Sequence, residues 1–444
     1  MKIAIAGGGP GGLYLAALMK QLDPTHEVTV WERNAPDDTF GFGVVFSDET
    51  LGGIESADDV VYRQMESRFA RWTDIDIAFG GQSYTVGGQG FAAMGRKDLL
   101  RILQERVAEL GVTVHFCTAA PDVDELRGAY DLVVACDGLG SAIRTKHADV
   151  FRPSLDVRHN KYIWLGTDLV FEAFEFFVKQ TEWGTMQIHG YPYSDSGSTF
   201  IVEMHDDVWR RAGFDATADQ TFAPGISDDY AVGRLAEIFA EELAGHQVLT
   251  NNSKWLNFTT VRNERWYDGN VVLLGDAAHT AHFSIGSGTK LAMEDALALA
   301  ACLHENADVE SALAAYETER KPVVESTSAP RRPRSSGSRT SVSTPGSGPS
   351  SSASTCSRAH DGSRSPTSRS ETTTSPACSR RSSPPTLGWP SERPQCSSRP
   401  GSASCRCTTG WSCRPWTCTP PPTGSPTTST SPTSARRHSV GPGW

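Results

Sequence analysis

Cysteine is scarce in the first 327 residues of this 444-residue sequence. Only Cys117, Cys136 and Cys302 of the ten cysteines fall there, and their spacing matches neither a metal site nor a disulfide framework. This part of the chain therefore has the features of a reduced, cytoplasmic protein without a metal site.

Basic residues and long apolar runs are also lacking. Residues 1–327 carry 26 Lys and Arg against 49 Asp and Glu, a net charge of −23, and this charge argues against a nucleic-acid or anionic-membrane partner. No run of 18 apolar residues occurs, so no membrane-spanning helix is predicted. None of these features specifies the oligomeric state.

The last 117 residues, 328–444, have a different composition, without Ile, Phe, Tyr, Met, Lys or Asn. They hold 15 Arg, three acidic residues and seven cysteines among many Ser, Thr and Pro. Such a segment cannot bury enough apolar surface to offset its conformational entropy, so we predict a disordered, low-complexity tail. Our hypothesis is an out-of-frame reading of GC-rich coding DNA; the alternative is an Arg- and Ser-rich nucleic-acid-binding arm.

A glycine-rich turn follows the first predicted strand. Residues 7–12 have GxGxxG spacing and open a helix that extends to about residue 22. In such a turn Gly7 allows the tight bend, Gly9 lets a diphosphate approach the backbone, and Gly12 lets the helix pack on the strand. The helix N-terminus at Pro10 offers free N–H groups and a positive dipole. These features predict a dinucleotide site.

A second predicted strand, residues 27–31, ends at Glu32. This carboxylate stands twenty residues after Gly12, where it can accept hydrogen bonds from both ribose hydroxyls. Arg33, next to it, is included in the predicted cofactor site. A glycine-rich turn without a ligand is the alternative, and the turn alone does not separate NAD from FAD.

Two further motifs follow predicted buried strands: DGxxSxxR at residues 137–144 and GDAAH at residues 275–279. With GxGxxG, and in this order, they resemble the aromatic-ring-hydroxylating FAD-dependent monooxygenases. The resemblance covers about residues 1–327. It implies an α/β fold: a Rossmann-like FAD-binding domain with an inserted antiparallel-sheet substrate domain, followed by the disordered C-terminal tail.

The resemblance and the motifs together define a predicted FAD site. Asp276, at a strand end, can accept from a ribityl hydroxyl, and the helix opening near Gly288 directs N–H groups to the flavin pyrimidine. By resemblance, Arg96 lies near the ribityl diphosphate and the loop at residues 41–46 lies against the isoalloxazine. The predicted cofactor-binding residues are Gly7, Gly9, Pro10, Gly12, Glu32, Arg33, Gly43, Val44, Arg96, Asp137, Asp276, Gly286, Gly288 and Thr289.

A second complete GxGxxG is missing, and so is a Cys-x-x-Cys pair. The first absence indicates that NAD(P)H, which we predict to be NADH, binds transiently as a co-substrate. The second argues against a disulfide reductase.

The middle of the chain has strand-like alternation at residues 161–167, 185–191 and 198–204 without crossover helices, which predicts an antiparallel sheet. A strand-like segment at residues 75–91 is expected to join it. The predicted domains are residues 1–155 and 259–327 for FAD, 156–258 for substrate, and 328–444 for the tail.

Segments 160–164, 186–191 and 282–290 resemble the branch that acts on aromatic acyl-CoA thioesters, which includes salicylyl-CoA 5-hydroxylase. This resemblance implies that salicylyl-CoA, NADH and O₂ give gentisyl-CoA. The alternatives are anthraniloyl-CoA or tryptophan hydroxylation and a non-catalytic FAD-binding protein.

Four side chains are candidates on the substrate side. His282, beside the glycine loop of the flavin motif, could orient a phenol or relay its proton and is the predicted catalytic residue. A histidine satisfied by neighbouring backbone is the alternative. His189, Tyr191 and Arg210 are the further substrate candidates, Arg210 through CoA phosphates. Core packing of the sheet residues and a solvated basic turn at Arg210 are the alternatives.

Overall fold

A computed structural model describes residues 1–88 and 90–328. The predictions for the tail from residue 329 onward lie outside these residues. Within the described part, no helix has both the length and the apolar character needed to cross a membrane.

The strands and helices are numbered in chain order. The strands are β1 (Lys2–Ala6), β2 (Glu27–Trp31), β3 (Gly43–Ser47), β4 (Ala70–Trp72), β5 (Ile75–Phe79), β6 (Gln82–Val86), β7 (Phe91–Gly95), β8 (Thr113–His115), β9 (Leu132–Ala135), β10 (Pro153–Thr167), β11 (Phe174–Thr181), β12 (Gly184–Pro192), β13 (Ser198–His205), β14 (Val248–Leu249), β15 (Leu256–Asn263), β16 (Tyr267–Asp268) and β17 (Val271–Leu273). The helices are α1 (Pro10–Leu22), α2 (Asp48–Ala57), α3 (Asp59–Glu66), α4 (Arg96–Glu109), α5 (Val123–Ala129), α6 (Ala142–Lys146), α7 (Ala148–Phe151), α8 (Asp206–Arg211), α9 (Asp229–Ile238), α10 (Ala240–Leu243), α11 (Gly288–Glu305) and α12 (Val309–Ser328). Single 3₁₀ turns lie at Phe214–Thr217, Gly275–Ala277 and Phe283–Ile285.

A six-stranded sheet in the order β16-β17-β9-β1-β2-β8 forms the nucleotide-binding half. Its strands pair in parallel, except for the β16–β17 hairpin. Ile3, Ile5 and Val134 are fully buried because helices cover the sheet, as the continuous apolar runs of parallel strands require. The predicted Rossmann-like α/β fold is confirmed.

An eight-stranded sheet forms the second half, in the order β14-β10-β13-β12-β11-β5-β6, with β15 also paired to β10. The segment near residue 75 joins this sheet as predicted. One pairing departs from the antiparallel prediction, since β5 and β11 are parallel. A long connection separates these two strands, so no hairpin forces them to be antiparallel. A small third sheet, β3-β7-β4, contains Gly43–Ser47, so the segment expected as a loop at residues 41–46 is mostly a strand, because it pairs with β7.

The two faces of the eight-stranded sheet differ in chemistry. Ile163, Phe200 and Val202 point to one face and pack against Leu235 and Phe239 in an apolar core with α8, α9 and α10. The opposite face presents the alternate residues of the same strands, which are mainly aromatic or polar and lie toward the six-stranded sheet. They include Tyr162, Trp164, His189, Tyr191, Thr199 and Glu203.

The predicted domain limits, 155/156 and 258/259, fall inside β10 and β15. These two strands pair with each other over much of their length. The division into cofactor and substrate domains stays a prediction.

A buried ion network joins α12 to the GDAAH motif at residues 275–279. Arg320 Nε on α12 donates to Asp295 Oδ1 at 2.8 Å, and Asp295 Oδ2 lies 2.7 Å from His279 Nε2 and accepts from Gly275 N–H at 3.2 Å. Asp295 is fully buried. Burial raises the pKa of Asp295, but His279 and Arg320 outweigh this effect and lower the pKa below its ordinary value. Asp295 therefore remains an anion that needs its partners.

We predict that Arg320→Met lowers the free energy of unfolding by about 3–5 kcal/mol, because the change leaves Asp295 as an incompletely paired buried charge. The matched control is Arg63→Met, which breaks an exposed helical ion pair with Asp59 and should cost less than about 1 kcal/mol. Urea unfolding of both variants gives these values. Equal losses in the two variants would contradict a structural role for the network.

Candidate functional site

Four strands of the six-stranded sheet, β1, β2, β9 and β17, end at the same edge because they run parallel. In an open α/β sheet a ligand binds in the crevice outside these carboxyl ends. A cavity of about 530 Å³ occupies this position and extends to the aromatic and polar face of the eight-stranded sheet.

The glycine turn after β1 forms one wall of the cavity. Gly7 has a φ of +112°, and a Cβ there would lie 2.2 Å from Cys136 O. A Cβ at Gly12 would lie 2.3 Å from Gly7 O. A Cβ at Gly9 would have no atom within 4 Å, and Gly9 has an extended backbone that any residue adopts. Gly7 and Gly12 are thus needed by the fold, whereas Gly9 leaves space that a ligand can fill.

The helix N-terminus and the end of β2 meet at this turn. No side chain caps α1, so its first N–H groups are available to an anion. Glu32 lies behind the turn, where its carboxylate accepts from Gly8 N–H and Asn34 N–H, both at 2.8 Å. Arg33, the next residue, lines the cavity.

The DGxxSxxR motif forms a second wall. Asp137 Oδ2 accepts from Ala142 N–H at 2.8 Å, while its Oδ1 is buried and has no hydrogen-bond partner among the described residues. Arg144 is buried and donates to Leu139 O and, at 3.1 Å, to Ala277 O. Arg144 therefore holds the end of β9 against the turn that carries Asp276.

Arg96 and Asp276 place opposite charges on the cavity wall. The Arg96 guanidinium lies 4.5 Å from the centre of the Phe40 ring and is attracted by Asp276. Asp276 is open to the cavity, but the surrounding protein keeps most water away from its carboxylate and so raises its pKa. His279 and Arg96 oppose this effect without cancelling it. The Asp276 carboxylate makes no hydrogen bond to a described side chain or N–H group, so it can accept one from a ligand hydroxyl.

Strand β3, which begins at Gly43, and the loop before α11 pack against each other at the cavity wall. Gly43 N–H donates to Thr199 Oγ1 and Gly43 O accepts from Tyr191 Oη, both at 3.0 Å. A Cβ at Gly286, whose φ is +62°, would lie 3.2 Å from Val45 Cβ. Ser287 Oγ, at the start of α11, is buried and has no hydrogen-bond partner in the part of the chain that the structure describes. Both segments line the cavity, so a ring system in the cavity would lie against them.

The residues present therefore fit FAD: an open glycine wall, two helix N-termini, a carboxylate for a hydroxyl, and an Asp137 oxygen that has no partner among the described residues. The predicted cofactor residues that line the cavity are Gly9, Pro10, Gly12, Arg33, Gly43, Val44, Arg96, Asp137, Asp276, Gly286, Gly288 and Thr289. Gly7 and Glu32 support the turn from behind. These assignments remain predictions.

One part of the cavity was missed by the sequence reasoning. Residues 251–254, together with Tyr162 and Trp164 of β10, line it. Asn251 Nδ2 donates to Gly41 O at 2.7 Å, and Asn252 has a φ of +54°. The sequence shows a polar loop before a strand at this position, but that pattern does not indicate what the loop contacts.

The substrate candidates fall in different places. Tyr191 lines the cavity, and burial raises its pKa to about 12. Arg210 is exposed on α8 and pairs with Asp206 at 2.8 Å, so the structure does not bring it to the cavity.

His189 and His282 meet at a residue that sequence reasoning missed, Glu203. His189 Nε2 lies 3.0 Å from Glu203 Oε2, and His282 Nε2 lies 3.8 Å from Glu203 Oε1. Neither histidine lines the cavity directly. Both contact the ring of Phe283, which does. A charged residue in the middle of an apolar strand was the signal that could have pointed to Glu203.

Comparison with known families defines the class of protein. The FAD binding domain family matches residues 1–329, and the chain belongs to this family. The predicted FAD-binding character and the resemblance to FAD-dependent aromatic hydroxylases are thereby confirmed.

Particular relatives are similar along the same stretch. Salicyloyl-CoA 5-hydroxylase of Streptomyces sp is 49% identical over 326 residues, which are 73% of this chain and 63% of the relative, so the chain spans less than two thirds of that protein. 3-Hydroxy-4-methyl-anthranilyl-[aryl-carrier protein] 5-monooxygenase of Streptosporangium sibiricum is 37% identical over 74% of this chain and 86% of the relative. Protodeoxyviolaceinate monooxygenase of Chromobacterium violaceum is 30% identical over 73% of this chain and 85% of the relative.

Solved structures confirm the fold. The tetrameric form of 2-methyl-3-hydroxypyridine-5-carboxylic acid oxygenase has a TM-score of 0.59 at 22% identity, covering 73% of this chain and 88% of that one. PqsL of P. aeruginosa, in complex with 2-aminobenzoylacetate, has a TM-score of 0.57 at 22% identity, covering 74% of this chain and 94% of that one.

Substitutions at Gly9 and Gly12 of the turn should have different effects. Gly9→Ala should leave the melting temperature nearly unchanged, because its methyl group enters open space, but should weaken FAD binding at least about tenfold by blocking the diphosphate. Gly12→Ala should destabilise the protein by about 1–3 kcal/mol or more, because its methyl group meets Gly7 O. Thermal melting with and without added FAD separates the two effects. Full FAD retention in Gly9→Ala would show that the turn is not part of the FAD-binding site.

We also predict that Asp276→Ala weakens FAD binding by about 10- to 150-fold, because a charge-assisted hydrogen bond to a hydroxyl contributes about 1.5–3 kcal/mol. Flavin fluorescence during dialysis of the purified protein measures the loss. Asp156→Ala, an exposed carboxylate beside Arg158, is the control. FAD affinity equal to that of the control would show that Asp276 does not contact the cofactor.

Proposed function

We propose that this protein is an FAD-dependent monooxygenase that hydroxylates an aromatic ring carried on a phosphopantetheine thioester. The specific substrates we propose are salicyloyl-CoA (salicylyl-CoA), NADH and O₂, with gentisyl-CoA as the product. Activity in the cytoplasm is part of the same proposal.

The observation that carries the proposal is the continuity of the cavity. It extends from the glycine turn and Asp276 to Tyr162 on the aromatic face of the eight-stranded sheet and to Phe283, whose ring packs against Tyr162. A ring substrate placed on this face is adjacent to the space that fits the isoalloxazine. The 49% identity to salicyloyl-CoA 5-hydroxylase supports the choice of substrate.

The thioester carrier has a second line of support. The names of two relatives that match over most of this chain contain a CoA and an aryl-carrier protein. Both carriers present an aromatic acyl group as a phosphopantetheine thioester. We infer the thioester from what the two names share.

Bound FAD would supply electron transfer from NADH and activation of O₂. The residues of this chain supply the other functions. The glycine turn and the α1 N-terminus would hold the diphosphate, and Asp276 would hold a ribityl hydroxyl. The α11 N-terminus would offer N–H groups and a positive dipole to the flavin pyrimidine. The aromatic sheet face excludes water from the ring.

The test is an NADH-oxidation screen of the FAD-loaded protein with salicyloyl-CoA, anthraniloyl-CoA, tryptophan and free salicylate, scored by oxygen uptake and product mass. We expect salicyloyl-CoA to raise the rate of NADH oxidation at least about tenfold over free salicylate, with a product heavier by one oxygen atom. Replacing NADH by NADPH should lower the rate.

Other results would change the assignment. Faster turnover of anthraniloyl-CoA or tryptophan would overturn the substrate while retaining the reaction. FAD-loaded protein whose NADH oxidation is not raised by any of these compounds would favour the non-catalytic FAD-binding alternative.

A further inference from the structure

Lys254 is a cation on the cavity wall that the predicted FAD site does not use. Among the described residues that line the cavity, three are lysine or arginine: Arg33, Arg96 and Lys254. Arg33 follows β2 of the six-stranded sheet, and Arg96 begins α4. Lys254 instead belongs to the loop before β15, which pairs with the eight-stranded sheet. Of the described cations at the cavity, Lys254 is thus the one that the substrate half contributes.

The charge of Lys254 is not used within the described protein. Its ammonium group makes no ion pair or hydrogen bond with another described residue. Lys161 is different, because its Nζ donates to Asn257 Oδ1 at 2.7 Å and lies 4.8 Å from the centre of the Trp209 ring. An ammonium group carries three donors. Those of Lys254 are therefore available to an anionic ligand.

The backbone on both sides of Lys254 is fixed. Ser253 is buried, and its Oγ donates to Trp164 O at 2.6 Å. Trp255 packs against the apolar core of the eight-stranded sheet, with its ring centroid 5.0 Å from that of Phe214. Because the loop is already ordered, a ligand that contacts Lys254 has only the lysine side chain to immobilise.

Two apolar side chains place this loop at the opening of the cavity. Phe40 and Leu256 both line the cavity, and they are 50% and 42% exposed, respectively. Leu256 is two residues after Lys254, and Asn251 donates to the carbonyl group of Gly41, the neighbour of Phe40. We call Phe40, Lys254 and Leu256 the rim, because the cavity meets solvent there.

An aromatic acyl thioester has two chemically different ends. Its ring suits the aromatic wall at Tyr162, and its flexible pantetheine arm leads from the ring to a phosphate group, which CoA extends with further phosphates. Residues 1–327 carry a net charge of −23, so the protein as a whole repels such an anion. A cation at the rim offsets this repulsion where the carrier leaves the cavity.

We propose that Lys254 binds the phosphate groups of the thioester carrier at the rim and thereby selects phosphopantetheine thioesters over free aromatic acids. The inference rests on the proposed function and names the residue that recognises the carrier. Phe40 and Leu256 supply apolar surface beside the pantetheine arm. Arg210, the candidate from sequence for the same phosphates, lies outside the cavity and pairs with Asp206.

The test compares two substrates of the FAD-loaded protein, salicyloyl-CoA and salicyloyl-pantetheine, which lacks every phosphate. In Lys254→Met we expect the KM for salicyloyl-CoA to rise at least about tenfold, because a charge-assisted contact is lost. The KM for salicyloyl-pantetheine should equal that of wild type, because neither protein can contact a phosphate there. The kcat values, the KM for NADH and the FAD content should not change.

Two further comparisons sharpen this result. Lys254→Arg keeps the charge and should retain most of the preference for salicyloyl-CoA over salicyloyl-pantetheine. Salicyloyl-phosphopantetheine separates the two carriers. A rise of its KM in Lys254→Met supports a contact with the phosphate that CoA and a carrier protein share, whereas a rise limited to salicyloyl-CoA supports a contact with the additional phosphates of CoA.

Arg210→Met is the matched control, because it removes the same charge from α8, outside the cavity. It should leave both KM values at those of wild type. An equal rise for both thioesters in Lys254→Met would indicate a structural role, and a rise in the KM for NADH alone would assign Lys254 to the nicotinamide cofactor. Either result, or an unchanged KM for salicyloyl-CoA, would overturn the proposal. If Lys254→Met does not fold, Lys254→Gln, which keeps a polar end, decides.

A failure of the proposed function is separately visible. Titration calorimetry of the FAD-loaded protein with coenzyme A and with pantetheine requires no turnover. Coenzyme A should bind wild type at least about tenfold more tightly than Lys254→Met, while pantetheine should bind both alike. This result supports the role of Lys254 even if salicyloyl-CoA is not hydroxylated. Coenzyme A affinity that is equal in wild type and variant, or undetectable in both, would contradict it.

Discussion

The close approach of three backbone segments, at Gly7, Gly12 and Cys136, is the constraint on which the cavity depends. A methyl group at either glycine would come within 2.3 Å of a carbonyl oxygen, so neither position accepts a side chain without moving β1, α1 or β9. This packing fixes the α1 N-terminus against the strand ends. It also brings the Asp137 and Asp276 loops, which follow neighbouring strands, to the same edge.

The eight-stranded sheet is a single layer that forms an apolar core on one side and a binding face on the other. Its side chains alternate, so Ile163 and Val202 enter the apolar core while their neighbours Tyr162 and Glu203 face the cavity half. A shift of one residue in the pairing of β13 would carry Glu203 into the core and Val202 out of it. The burial cost of a charged group therefore helps to specify the register.

Local features of the chain were predictable from sequence. The strand ending before Gly7, the helix at Pro10–Leu22 and the strands that precede Asp137 and Asp276 follow from apolar periodicity and glycine spacing. Because parallel strand ends converge, the order of motifs was enough to place the glycine turn, Asp137 and Asp276 near one another, whereas Arg96 and residues 41–46 were placed by resemblance.

Contacts that depend on strand register or on loop course were not predictable in this way. Glu203 and His189 are 14 residues apart, on adjacent strands, and Glu203 meets His282 only when the two halves of the molecule are assembled. No periodic pattern in the sequence predicts the contact of Glu203 with these two histidines. The parallel pairing of β5 with β11 escaped prediction for the same reason, because hairpin logic does not apply across such a long connection.

Three carboxylates near the cavity show how neighbouring groups in the protein set the pKa of an acid and its capacity to bind a ligand. Asp295 and Glu203 are buried, each holds a histidine, and in both the attraction of neighbours overcomes burial and lowers the pKa. Asp276 has charged neighbours but no direct hydrogen bond to its carboxylate, and its pKa is raised. The first two are satisfied within the protein and act on other residues, whereas Asp276 gains its missing hydrogen bond only from a molecule in the cavity.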